Sequence, residues 1–297
     1  EVSLMILDHF LWSKSEATLR RYLPIVVETL TFFTSHFPIP TSGGPVRIFP
    51  SQALETFQCK PAISESWSGG QWHGSLNETN CVLDDAPTVA ALHALLDKVL
   101  SLPPSFFAAP DLTAWRLYRE ALPPLPGANT TTLRAYANTE TYHRAPDNSE
   151  TPQLYGVFPY RRYSVGRMQQ TPGLDLGPAL KAAAPGQPGW GQNIGWAQDV
   201  INDALLGRAA AAGAKVIDRM QNSRADGYRF SGFAFGGGLS AHPPAVEDLS
   251  NMATALHFML LQPVDDGFES GRAVLFPAWP CGWDLDTKLA APLNTTV

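Results

Sequence analysis

Apolar residues recur at steps of three and four along most of this chain, and almost nowhere do they alternate. Leu19, Leu23, Val26, Val27, Leu30, Phe33 and Phe37 show the pattern best and predict a helix over 16–37. Residues 1–13 are apolar with compatible spacing, so 1–37 reads as a helical hairpin, with Ser13 or Ser15 capping its second arm. A third helix is expected from Asp84/Asp85, with Pro87 in its first turn, through Val89, Leu92, Leu95, Leu96 and Val99 to Leu102, where Pro103 and Pro104 stop it. A shorter helix over 112–122 ends at Pro123 and Pro124. The aromatic stretch 154–163 is expected to be helical at its start, 194–220 to form a long Ala-rich helix, and 245–262 to form an amphipathic one. Apart from a strand-like stretch at 46–49, only 272–276 reads as a strand. About seven helices with long loops and no intervening strands describe a mainly α protein and exclude a βαβ fold. No repeat of 20–50 residues is present, which disfavours a solenoid.

The composition fits a helical scaffold with elaborate loops. Of the 297 residues, 44% are hydrophobic and 16% charged, so a sizeable core is available and charge is scarce. The 24 Gly and 26 Pro place much of the chain in loops, whereas eight Trp, eight Tyr and 15 Phe are too many for a solvated coil. A net charge of −6 argues against nucleic acid or an anionic membrane as a partner. No apolar run is long enough to span a bilayer. The seven His show neither HxxxH nor HExxH spacing, so no metal site is expected, and no cofactor is called for. There is no Gly-x-Ser-x-Gly elbow, and the Gly-rich 235–239 segment lacks the Lys and preceding strand of a phosphate loop.

Compartment is read from small signals. Asn77, Asn129 and Asn294 each begin an Asn-x-Thr sequon inside a polar loop, where a glycan has room. Cys59 and Cys81 flank a loop holding Trp67, Gly69, Gly70, Trp72 and Gly74. A disulfide there would staple a loose excursion, worth about 3 kcal/mol; the same cysteines also read as unrelated thiols. Cys281 is expected to be buried beside Trp279 and Trp283. Together these signals point outside the cell. The chain opens on Glu1 with no leader, which reads as a removed signal peptide or as an internal piece of a longer chain.

The residues able to do chemistry each carry two readings. Glu55 follows Pro50-Ser51-Gln52-Ala53-Leu54 and sits among apolar neighbours, where desolvation would make it a general acid at neutral pH; it is equally an ordinary loop residue. Glu247 and Asp248 open a helix, where acids favour the macrodipole, or one of them is the second carboxylate of a catalytic pair, as glycoside cleavage requires. The polar turn 147–152, which includes Glu150, precedes Tyr155, Phe158, Tyr160 and Tyr163. Aromatic groups beside polar donors suit sugar stacking and serve equally as core. Trp190 and Trp196, each after a Gly, and His242 belong with them.

In order, these segments resemble the later part of the catalytic barrel in the fucosidases of glycoside hydrolase family 95 and related six-hairpin glycosidases. Pro50-Ser51-Gln52-Ala53-Leu54-Glu55 is similar to the family's Pro-Ser-x-Ser-Pro-Glu, and Leu154-Tyr155-Gly156-Val157-Phe158-Pro159 to its Leu-Tyr-Gly-x-Tyr-Pro. Gly195-Trp196 before a long helix, the helix end Met259-Leu260-Leu261-Gln262 and the closing Leu275-Phe276-Pro277-Ala278-Trp279-Pro280-Cys281-Gly282-Trp283 also match. The resemblance implies an (α/α) toroid, incomplete in this chain, over residues 1–268, followed by the start of a C-terminal β segment over 269–297. It implies inverting hydrolysis of a glycosidic bond in an oligo- or polysaccharide, with Glu55 as general acid and Glu247 or Asp248 as base. Glu150, Tyr155, Trp190, Trp196 and His242 would then bind substrate. Departures stand beside the matches. The family's base is an Asp in Ile-Asp-Gly-Asn-Phe-Gly, where this chain has Val246-Glu247-Asp248-Leu249-Ser250-Asn251. The His pair before Leu-Tyr-Gly is absent, with Glu150 near its place, and so are the supporting Asn-x-Asn and the first helices of the barrel. Those departures also fit a catalytically inactive, carbohydrate-binding or structural glycoprotein. With the preceding hairpin missing, the apolar stripe of 1–37 is expected to be covered by an upstream segment or a neighbouring subunit.

Overall fold

The structure, a computed structural model, describes residues 1–60, 67–68, 71–72, 75–184, 198–221, 246–264 and 272–284, with backbone alone at 67–68, 71–72, 219–221 and 246–249. It is mainly helical and divides into two compact units, Glu1–Gly156 and Val157–Val297.

The first unit is built on two helical hairpins. Helices α1 (Val2–Ser13) and α2 (Glu16–His36) pack together, joined across their interface by the Ser3 and Thr29 hydroxyls at 3.0 Å. Ser15 is the cap of α2, accepting from the Thr18 N–H. The buried rows Leu7 and Phe10 on α1 and Leu19, Leu23, Val26 and Leu30 on α2 follow the predicted spacing. Helix α3 (Ala86–Ser101) is buried on nearly every side and packs against α1 and α4 (Ala109–Ala121). Its buried Lys98 is paired with Asp8 of α1, so the one charge it carries inward is neutralised. Tyr118 of α4 donates to the Phe37 carbonyl at 2.9 Å and ties the hairpins together at one end. The opposite face of the α1–α2 hairpin exposes Val2, Met5, Trp12, Tyr22, Ile25 and Phe32, a row of large apolar groups at helical spacing. Strands β1 (Trp67–Ser68) and β2 (Gln71–Trp72) form a small antiparallel ribbon within the loop between α2 and α3.

The second unit contains α5 (Val165–Gln170), α6 (Gly177–Ala182), α7 (Asp199–Leu205), α8 (Ala209–Gln221), α9 (Val246–Leu260), β3 (Leu261–Pro263) and β4 (Ala273–Leu275). The short α7 is buried along its whole length between α8 and α9. Gln262 fastens this core: its amide donates to the Ala204 carbonyl at 2.8 Å, and its amide oxygen accepts from the Gly166 N–H at 3.0 Å.

Several expectations are corrected. The helix expected over 194–220 is broken between α7 and α8 at Gly207, whose φ of +75° is a left-handed conformation that ends a helix. Helix α9 stops at Leu260, and Leu261–Pro263 pairs instead with the expected 272–276 strand, in the register Leu261↔Leu275 and Gln262↔Val274. The 154–163 stretch has only a 3₁₀ turn, Pro152–Leu154, since Gly156 and Pro159 oppose helix propagation. The 46–49 stretch forms no strand; its hydrogen bonds go to Ala121 and Asp84 instead. Cys281 is exposed, because Trp279 and Trp283 pack edge to face and the turn between them points the thiol outward. Among the described residues no helix is long and apolar enough to cross a membrane.

Candidate functional site

The carboxylate singled out at Glu55 stands at the tip of a very tight turn in the first unit. Ala53 and Phe57 exchange both backbone hydrogen bonds, at 2.9 and 3.1 Å, leaving Leu54, Glu55 and Thr56 to reverse the chain. Leu54 takes a left-handed φ of +57° to make the reversal. Ala53 and Thr56 are fully buried, whereas Glu55 between them is exposed. Glu55 is therefore solvated, which corrects the expectation that its apolar neighbours would desolvate it: they turn inward beneath it.

Three layers hold this turn. Beneath it, Ala53, Val82, Ala135 and Tyr142 form an apolar cluster with Phe57 and Tyr136 against it. The Phe57, Tyr136 and Tyr142 rings meet edge to face, with Tyr136 5.0 Å from Phe57 and 5.1 Å from Tyr142. On one flank Ser51 pairs with Val82 through two backbone hydrogen bonds, and its hydroxyl donates to the Asp85 carboxylate. On the other flank lies the 147–150 segment. Its Asp147 N–H donates to the Thr56 carbonyl at 2.8 Å, and Glu150 accepts from the Glu55 N–H at 3.2 Å and the Thr56 hydroxyl at 3.0 Å. The Asn148 amide donates to the Glu55 carboxylate at 3.1 Å.

The Cys59–Cys81 disulfide is formed, with Cα atoms 4.1 Å apart, and lies four residues past the acid. Beside it the Lys60 N–H donates to the Asn80 carbonyl, and Asn138 bridges the Glu78 and Cys81 carbonyls and the Leu83 N–H. The stapled loop is thus anchored where it meets the Glu55 turn.

Burial sets the electrostatics. Asp84 is pushed up to about 6 mainly by burial, with Asp85 and Glu78 adding to the rise and the Ile48 N–H and Arg47 opposing it. Burial also raises Asp85, against hydrogen bonds from Ser51 and the Thr88 N–H. Tyr155 is pushed up to about 12, first by burial and then by the Glu150 and Glu1 charges.

Glu55, Glu150, Tyr155 and the disulfide therefore share one unit, and the first two share one hydrogen-bond network. Glu150, half-buried, reaches the backbone under Glu55. Glu247 and Asp248 begin α9 in the second unit, as the sequence expects, but their side chains lie outside the described residues. Trp190, Trp196, His242 and Asn294 lie outside them as well. Asn77 and Asn129 are both exposed. In the Asn77 sequon the amide oxygen accepts from the Thr79 N–H and hydroxyl, leaving the amide nitrogen outermost.

Sequence reasoning missed Asn148, although it falls in a segment already marked by Glu150, and missed Asp84 and Asp85 as buried groups, having read them only as a helix start. It also missed a buried network in the second unit. There Asp199, Asn202 and Asp203 share one face of α7 at three- and four-residue spacing, and Lys215 of α8 bridges both carboxylates at 2.8 and 2.7 Å. Arg208 adds a second cation to Asp203 at 2.9 Å. The i, i+3, i+4 polar pattern inside an otherwise apolar helix was the available signal. Among the described residues no cluster of His, Cys, Asp and Glu could hold a metal ion. No family model matches this chain, and no curated protein matches it either.

Proposed function

We propose that this chain is a carbohydrate-active protein of glycoside hydrolase type, working outside the cell and cleaving a glycosidic bond with inversion. Glu55 acts as the general acid, protonating the leaving oxygen, and the sequence offers Glu247 or Asp248 as the base that deprotonates the attacking water. The observation that carries the reading is the Glu55 turn: a tight reversal whose backbone N–H is held by Glu150 and whose exposed carboxylate accepts from the Asn148 amide. Catalysis needs a proton donor fixed within a fraction of an ångström. The paired hairpins α1–α2 and α3–α4 are the units from which an (α/α) toroid is made. The disulfide and the exposed Asn77 and Asn129 sequons support the extracellular assignment.

A second reading is favoured by the altered base segment at 246–251: a glycoprotein that keeps the sugar-facing surface without the chemistry. Incubation with a panel of aryl glycosides and plant, fungal and animal oligosaccharides separates the two. Release of a reducing sugar, with the new anomeric proton in its inverted configuration by NMR, is expected. A retained anomer would exclude the inverting assignment. Absence of release from every member would exclude hydrolysis and leave the binding protein, whose affinity calorimetry with the same oligosaccharides would read.

A further inference from the structure

The two hydrogen bonds that Glu150 accepts tie it to the turn that carries Glu55. One of its carboxylate oxygens accepts from the Glu55 N–H at 3.2 Å and from the Thr56 hydroxyl at 3.0 Å. Thr56 is fully buried, so its hydroxyl depends on this partner. Glu150 is itself placed by the 3₁₀ turn that follows, whose Pro152, Gln153 and Leu154 are all buried and pack on α3. Two residues earlier, Asn148 presents its amide nitrogen to the Glu55 carboxylate because its amide oxygen is already engaged by the Ser149 N–H at 2.7 Å. The end of the amide that faces Glu55 is therefore fixed. The Asp147 N–H adds a backbone tie to the Thr56 carbonyl, and the Asp147 carboxylate pairs with Lys60 beyond the turn.

We propose that Glu150 and Asn148 are positioning residues for Glu55: Glu150 sets the backbone of the turn, and Asn148 sets the rotamer of the carboxyl group. This inference rests on the reading of Glu55 as the general acid. Glu150 needs only to accept hydrogen bonds at one oxygen. A glutamine serves that purpose and an alanine does not, and that difference separates positioning from charge.

The test compares wild type, Glu150→Ala, Glu150→Gln and Thr56→Val on two aryl glycosides of one sugar: a phenyl glycoside, whose leaving group needs protonation, and a 2,4-dinitrophenyl glycoside, whose leaving group does not. Glu150→Ala should lower kcat on the phenyl glycoside about 10- to 100-fold, a fraction of what a general acid supplies, with KM nearly unchanged. On the dinitrophenyl glycoside its loss should stay within about threefold, since the acid is not used there. Glu150→Gln should restore most of the phenyl activity. Thr56→Val, which keeps the buried shape, should show the same leaving-group bias more weakly and covers the case in which Glu150→Ala does not fold. Equal losses on both substrates, or none on either, in a protein whose Glu55→Gln variant has lost phenyl hydrolysis, would overturn the positioning roles and leave the acid in place. Retention of phenyl hydrolysis by Glu55→Gln would instead overturn the acid assignment and this inference with it.

Discussion

Asp84 couples stability to pH. Its carboxyl is buried beside Asp85 and accepts from the Ile48 N–H at 2.8 Å, and its acidity is shifted to about 6 from an unperturbed 3.8. A carboxyl whose folded pKa is raised binds its proton more tightly in the native state, so its contribution to stability is complete below the unfolded value and is lost as pH rises through about 6. A shift of this size corresponds to about 2–3 kcal/mol, and Asp85, raised for the same reason, acts in the same direction. Asp84→Asn should therefore stabilise the protein at pH 7.5 and be nearly neutral at pH 4, read as urea midpoints at the two pH values. A variant equally stabilising at both, or destabilising at pH 7.5, would show that the buried charge is not what Asp84 costs.

At the scale of elements, the helices were legible wherever three- and four-residue spacing ran unbroken over ten residues or more. The α1–α2 hairpin, α3, α4 and α9 all lie where the spacing puts them, and Ser15 and Asp85 are the caps their positions suggest. Errors arose where tertiary contacts decide. Leu261 and Gln262 continue the helical spacing of α9, yet they pair with β4, and Gln262 is a buried bracket between Ala204 and Gly166. The Glu55 turn was legible as an acid in an odd place. Its support was not, because Glu150 and Asn148 lie more than ninety residues away, and no local period reports such a pairing. Gly166 offers a sharp element-level test. A Cβ at this position would come within 2.2 Å of the Pro263 carbonyl oxygen, so Gly166→Ala must push α5 off β3. A loss of about 2–3 kcal/mol is expected in denaturant unfolding, against the gain of about 0.4–1 kcal/mol typical of a Gly-to-Ala change made without strain.

Over the whole molecule, the division into Glu1–Gly156 and Val157–Val297 makes the disulfide a local staple. Replacing Cys59 and Cys81 with Ser should cost about 2–4 kcal/mol. The loss should appear as faster amide exchange in α3 and the 133–142 segment of the first unit, with α7 and α9 of the second unaffected; a uniform loss across both would mean they unfold as one. All of the proposed chemistry meets at Glu55, and one measurement reaches it directly: kcat/KM of the wild type and Glu55→Gln on an oligosaccharide that the wild type hydrolyses, with thermal melts recorded in parallel. The account predicts a fall of at least about 100-fold with the melting temperature unchanged. A Glu55→Gln protein that is equally stable and hydrolyses the same oligosaccharide at the wild-type rate would contradict it.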